Sequence, residues 1–218
     1  MSAYKLIIFD WDGTLMDSEA KIVSCLMAAC EDLGLEPPTE EAAKNVIGLG
    51  LHEACVQLLP GSEHALHLQM SDRYRHHFFD VQRPASAMFD GVENMLKGLD
   101  DEGHFLAIAT GKGRRGLDEV LGQTGLKSYF HASRTADETI SKPNPQMLHE
   151  LLDYFGLESN EAIMIGDTEY DLQMASNAQM DSLAVSYGVH EVDRLLQFRP
   201  KACVDSIQEM HDWLIQAK

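Results

Sequence analysis

A short apolar run, Leu6-Ile7-Ile8-Phe9, stops abruptly at Asp10-Trp11-Asp12-Gly13-Thr14. An unbroken apolar run that ends in a polar loop predicts a strand buried on both faces. The same pattern returns in Phe105-Leu106-Ala107-Ile108-Ala109 before Thr110-Gly111, and in Ala162-Ile163-Met164-Ile165-Gly166 before Asp167. Weaker versions occupy 182–185 and 202–204. Amphipathic stretches over roughly 92–102, 115–123, 146–155 and 171–177 accompany them. Strands alternating with helices in this way predict an α/β fold with a parallel sheet.

Residues 18–82 break the alternation. Four helical patterns, at 18–33, 40–47, 51–59 and 63–80, are punctuated by Gly34, Pro37-Pro38, Gly48 and Gly50, and Pro60-Gly61. No convincing strand lies among them. A chain of 218 residues is long for one unit and short for two. The expectation is an α/β core of residues 1–17 and 83–218 with a helical cap, 18–82, inserted after the first strand.

In open α/β sheets ligands bind beyond the carboxyl ends of the strands. Asp10 and Asp12, Thr110 and Gly111, and Asp167 all stand at such ends. Asp10 and Asp12 project to one side if extended geometry persists through Trp11, and paired carboxylates suit metal ligation or acid/base work. Taken alone, the pair also fits a solvated turn. An EF-hand is disfavoured, because the third ligand and the glutamate at the twelfth position are missing. Asp167 can reach a metal. Asp171, on the first turn of the next helix, is either a partner behind the metal ligands or a complement to the helix N-terminus.

Lys142 lies in Ser141-Lys142-Pro143-Asn144-Pro145, where the following proline pushes it toward extended backbone. It is a cation on a stiffened loop, suited to a phosphoryl oxygen. Thr110-Gly111-Lys112-Gly113 brings backbone amides at Gly111 and Lys112 toward an anion, although it lacks the spacing of a P-loop.

With 17 Lys and Arg against 35 Asp and Glu, the formal charge is −18. That disfavours nucleic acid as a partner, and an anionic substrate needs a cation to reverse the sign locally. No window is apolar enough for a membrane span and the first residues lack a signal-peptide core, so the cytoplasm is expected. Cys25, Cys30, Cys55 and Cys203 show no ligand spacing and read as small buried hydrophobes. Oligomeric state is not legible.

These four segments together resemble the haloacid dehalogenase-like superfamily, and within it the phosphoglycolate phosphatase-like hydrolases. DWDGT at 10–14, Thr110, Lys142 of SKPNP and GDTEYD at 166–171 stand in the order of that family's four motifs, and the likeness spans nearly the whole chain. It implies a Rossmann-like parallel sheet with an inserted cap, and a phosphatase acting on a small phosphorylated metabolite. The resemblance makes Asp10 the nucleophile of an aspartyl-phosphate mechanism and Asp12 the general acid and base. It implies Mg²⁺ held by Asp10, the Asp12 carbonyl and Asp167, with Asp171 orienting Lys142 or the metal. Dehalogenases and phosphonatases of the superfamily lack an acid at the position of Asp12, so those activities are excluded.

The segment Ile47-Gly48-Leu49-Gly50-Leu51 resembles the cap loop that enters the active site and selects substrate, which makes Gly48, Leu49 and Gly50 substrate-contacting candidates; a plain glycine-rich linker is the competing reading. His52, His76 and His77 read as solvated. A β-phosphoglucomutase-type mutase and an inorganic pyrophosphatase are the enzymatic alternatives. A non-enzymatic binding module would have lost one of Asp10, Asp12, Lys142 or Asp167.

Overall fold

A computed structural model describes residues 4–81 and 86–217. In chain order the elements are β1 (Leu6–Phe9), β2 (Met16–Asp17), α1 (Glu19–Asp32), α2 (Glu40–Asn45), α3 (Leu51–Leu58), α4 (His64–Phe79), β3 (Ala87–Met88), α5 (Val92–Asp101), β4 (Phe105–Thr110), α6 (Arg114–Thr124), β5 (Ala132–Thr135), α7 (Gln146–Phe155), β6 (Ala162–Gly166), α8 (Glu169–Asn177), β7 (Asp181–Val185), α9 (Val192–Leu196), β8 (Cys203–Val204) and α10 (Ile207–Gln216). Six strands form one parallel sheet in the order β5-β4-β1-β6-β7-β8.

The apolar runs are continuous because both sheet faces are covered. Ile7 and Phe9 of β1, with Leu106, Ile108, Ile163 and Ile165, face Val92, Leu96, Leu99, Leu117, Ile207 and Leu214 from α5, α6 and α10. Leu6 and Ile8, with Ala107, Ala109 and Met164, face Met147, Leu148 and Leu151 of α7 and Met174 of α8. Each such side chain taken fully out of water contributes roughly 1.5–3 kcal/mol. β1 lies between β4 and β6, with Phe9 level with Ile108 and Ile165. The connections run outward in opposite directions from it, so the crevice at their carboxyl ends is a topological switch point.

Helices α1 to α4 sit between β2 and β3 and bury a cluster of their own, built on Ile22, Leu26, Ala43, Val46, Cys55 and Met70. The chain enters and leaves them through a small antiparallel ribbon that pairs Met16 with Met88 and Asp17 with Ala87. The junction expected at 82/83 lies outside the described residues. Helix α2 stops at Asn45, two residues short of expectation, because Val46 and Ile47 turn away as the Ile47 amide donates to the Lys44 carbonyl at 3.0 Å. His77 is buried, not solvated, and its Nε2 meets Asp32 at 2.9 Å across α1 and α4. His52 and His76 are exposed. Cys25, Cys30 and Cys55 are buried, Cys203 is partly so, and all four are free thiols. Among the described residues no helix is long and apolar enough to cross a membrane.

Candidate active site

The ladder of β1 ends at Phe9, yet the alternation of side chains continues past it. Trp11 turns into the core, edge-on to Phe130 at 6.2 Å, while Asp10 and Asp12 on either side line a cavity of about 290 Å³. A buried indole of this size is a strong anchor, and it aims both carboxylates one way. Gly13 then turns the chain at φ +80°, and a Cβ there would collide with the Asp167 carboxylate. Only glycine satisfies both demands.

Asp10, Lys142, Asp167 and Asp171 form a fully buried cluster. Lys142 Nζ donates to Asp10 Oδ1 and to Asp171 Oδ1, both at 2.6 Å. Asp171 Oδ2 accepts from the Thr168 amide (3.1 Å) and hydroxyl (2.7 Å), which closes a capping box on α8. Asp171 thus holds Lys142 and caps a helix N-terminus at once. Asp167 accepts from Thr14 Oγ1 at 2.8 Å and from the Val189 amide at 2.9 Å. Asp10 Oδ2 is buried with no partner.

Three carboxylates that can place oxygens within 4.8 Å of one another face a single ammonium. Burial pushes the Asp10 carboxyl up to about 7 against the pull of Lys142, with Asp171 and Asp12 adding to the rise. Burial likewise drives Asp167 well above the ordinary carboxylate range, and the charges of Asp171 and Asp10 reinforce it. Burial works against the Lys142 ammonium, but Asp10 and Asp171 together hold its pKa above the usual value. An uncompensated buried charge is costly. An all-oxygen donor set with one oxygen unused fits a hard divalent cation.

Asp12 accepts from Ser18 Oγ at 2.5 Å and pairs with Lys112 Nζ at 3.0 Å. The Lys112 amide donates to Thr110 Oγ1 at 3.2 Å. That amide is therefore not turned to an anion, and the Thr110 hydroxyl keeps its own proton to donate. Gly111 packs beneath the insertion: a Cβ there would strike the carbonyl oxygens of Gly48 and Leu49. The Gly50 amide donates to Ser141 Oγ at 2.7 Å, beside Lys142. Further along, Asn45 accepts from Tyr170 through its carbonyl (2.7 Å) and from Arg194 through its side chain (2.8 Å). The loop 47–51 is thus seated on the edge of the sheet, and Gly48, Leu49 and Gly50 line the cavity with Asp10, Asp12, Thr110, Gly111 and Lys112.

Ser18, Ser141 and the 186–189 turn were not singled out from the sequence. The turn carries the same signal as its neighbours, a glycine just beyond a strand end, since Gly188 packs on Asp167. Ser18 and Ser141 act through contacts with distant segments, and no local pattern marks them.

The model of the haloacid dehalogenase-like hydrolases matches residues 7–185. Among curated proteins, the chain is 33% identical to the probable phosphatase IndB of Dickeya dadantii, covering 94% of this chain and 91% of that one. It is 30% identical to the phosphoglycolate phosphatase of Aliivibrio fischeri, over 94% and 93%. A crystal structure of a predicted phosphatase from Clostridium acetobutylicum superposes with a TM-score of 0.89 at 25% identity, covering 99% of this chain and 100% of that one.

Proposed function

The chain belongs to the haloacid dehalogenase-like hydrolases and is a phosphatase, and from that premise we propose that it hydrolyses a small phosphorylated metabolite with Asp10 as nucleophile and Mg²⁺ bound. The observation that carries this reading is the Asp10 carboxylate, with Oδ1 fixed by Lys142 and Oδ2 buried and unpartnered beside the cavity. A nucleophile held in one orientation avoids much of the entropic cost of attack.

In the proposed first step an Asp10 oxygen attacks phosphorus. The ester P–O bond breaks, its electron pair leaves with the alcohol oxygen, and Asp12 gives that oxygen a proton. Water then attacks phosphorus in the aspartyl-phosphate, Asp12 takes its proton, and inorganic phosphate leaves with Asp10 restored. Ser18 and Lys112 aim Asp12. Thr110, Lys142 and the Gly111 amide are assigned the phosphoryl oxygens. Asp10, Asp167 and the Asp12 carbonyl would hold Mg²⁺, which when bound supplies neutralising charge at the transferring group. Asp171 positions Lys142. The loop 47–51 is assigned contact with the rest of the substrate.

Acid-quenched mass spectrometry during turnover tests the reading. A phosphoryl group on the peptide containing Asp10 supports it, together with activity in Mg²⁺ or Mn²⁺ that chelation removes. Full activity in excess chelator, or label on another residue, rejects it.

A further inference from the structure

The cavity extends well beyond the two aspartates, and its far wall comes from the helical insertion. Ile22 and Leu26 of α1, Leu49 of the loop, and Tyr74, Phe78 and Phe79 of α4 line it. This wall is hydrocarbon and aromatic, whereas a second acid group on the substrate would need a cation. The cations that line the cavity are already engaged, and Lys21, outside the lining, lies over the Phe78 ring at 4.1 Å. Lys112 is paired with Asp12 and lies 4.8 Å from the Phe78 ring centre. Arg75 is paired with Asp72 at 3.0 Å. Arg115 stacks over Phe79 at 4.2 Å, on an exposed residue at the rim. Glu53 and Asp137 also line the cavity and oppose any further negative charge.

One polar group on the wall is unused. Tyr74 stacks on Phe78 with ring centres 5.7 Å apart, and its hydroxyl makes no hydrogen bond among the described residues. Burial pushes that hydroxyl well above its ordinary pKa, and the charge of Asp12 adds to the rise; Tyr74 and Asp12 line the same cavity. Tyr74 is half-buried and lines the cavity, so a substrate atom entering there can accept the hydrogen bond that the hydroxyl offers.

We propose that this wall is the leaving-group subsite and that the natural ester carries a planar, largely apolar ring whose polar edge accepts a hydrogen bond from Tyr74, in place of a second acid group. The inference rests on the phosphatase reading above and narrows its substrate.

The test compares kcat/KM for four alkyl esters, ethyl phosphate, phosphoglycolate, benzyl phosphate and pyridylmethyl phosphate, on the full chain with Mg²⁺. Both ring esters should exceed phosphoglycolate and ethyl phosphate by at least about tenfold, the scale on which an apolar pocket discriminates. Ile22→Thr, which replaces an ethyl group of the wall by a hydroxyl, should lower the benzyl-to-ethyl ratio by about threefold or more. Tyr74→Phe should lower the pyridylmethyl-to-benzyl ratio by about fivefold, chiefly through KM, which loss of packing alone would not do. Phosphoglycolate outrunning both ring esters overturns the subsite. A pyridylmethyl-to-benzyl ratio that Tyr74→Phe leaves unmoved overturns the hydrogen bond. Phosphate release from none of the four would instead overturn the phosphatase reading.

Discussion

Lys142 reaches Asp10 Oδ1 at 2.6 Å and leaves Asp10 Oδ2 buried without a partner. One oxygen is tethered and the other is free, so the carboxylate is oriented without being consumed. An amide at this position would keep the shape and lose the nucleophile.

Asp10→Asn should therefore reduce kcat by at least about a thousandfold, a barrier increase of roughly 4 kcal/mol, with the fold intact by circular dichroism. Activity within tenfold of the parent would end the covalent proposal.

Removing the other partner has a different signature. Lys142→Met leaves Asp10, Asp167 and Asp171 buried with no cation, a loss on the order of 3–5 kcal/mol. For a chain of this size that lowers Tm by roughly 6–20 °C. Mg²⁺ should restore part of the loss, because a divalent ion supplies the missing charge. A variant as stable as its parent in chelator would show that the cluster is not held by Lys142.

Protons and Mg²⁺ should compete for Asp10. A free aspartate titrates near ~3.9, and burial pushes Asp10 up to about 7. Between those values the metal-free folded chain holds a proton that the unfolded chain has released, so this group's contribution to stability falls as pH rises through 7. Bound metal displaces the same proton. The apparent Kd for Mg²⁺ should tighten by about fivefold from pH 6 to 7 and by about twofold more from pH 7 to 8, then level off, with proton release measurable by calorimetry in two buffers. A Kd flat from about pH 5.5 to 8 contradicts this placement of the ion.

Gly111→Ala tests the seating of the insertion. The added methyl would meet the carbonyl oxygens of Gly48 and Leu49, backbone atoms that move only if the loop does. Loop closure excludes water and completes such sites, so kcat/KM should drop by about tenfold or more for every ester, with Tm changed by only a few degrees. An unchanged kcat/KM would make the contact incidental.

The strands that position the chemistry were the most legible part of the sequence. β1, β4 and β6 are covered on both faces, so their composition alone announces them. β5 was missed because it is an edge strand: Ser133 and Arg134 reach toward Arg114 and Glu150, which erases the apolar run. α10 was also passed over, although Ser206 caps it and Ile207, Met210 and Leu214 repeat at helical spacing. Asp10, Asp12, Lys142, Asp167 and Asp171 could be named because each stands beside a strand end, a proline or a helix start. What could not be read was pairing between remote segments. Nothing near Ser18 signals Asp12, and nothing in the pattern of α4 says that Tyr74 and Phe78, not its polar face, look toward the aspartates.

The ribbon that pairs Met16 with Met88 has a bearing on how such a chain diversifies. Because departure and return are hydrogen-bonded neighbours, the sheet experiences everything between them as a single hairpin tip. Lengthening a loop costs little once its ends are fixed. A different set of helices could be spliced between the same two short strands, or the present set lifted into another sheet, provided that its loop seats on the sheet edge as 47–51 does here. In genealogical terms the two parts need not share a history: one can be retained while the other is exchanged.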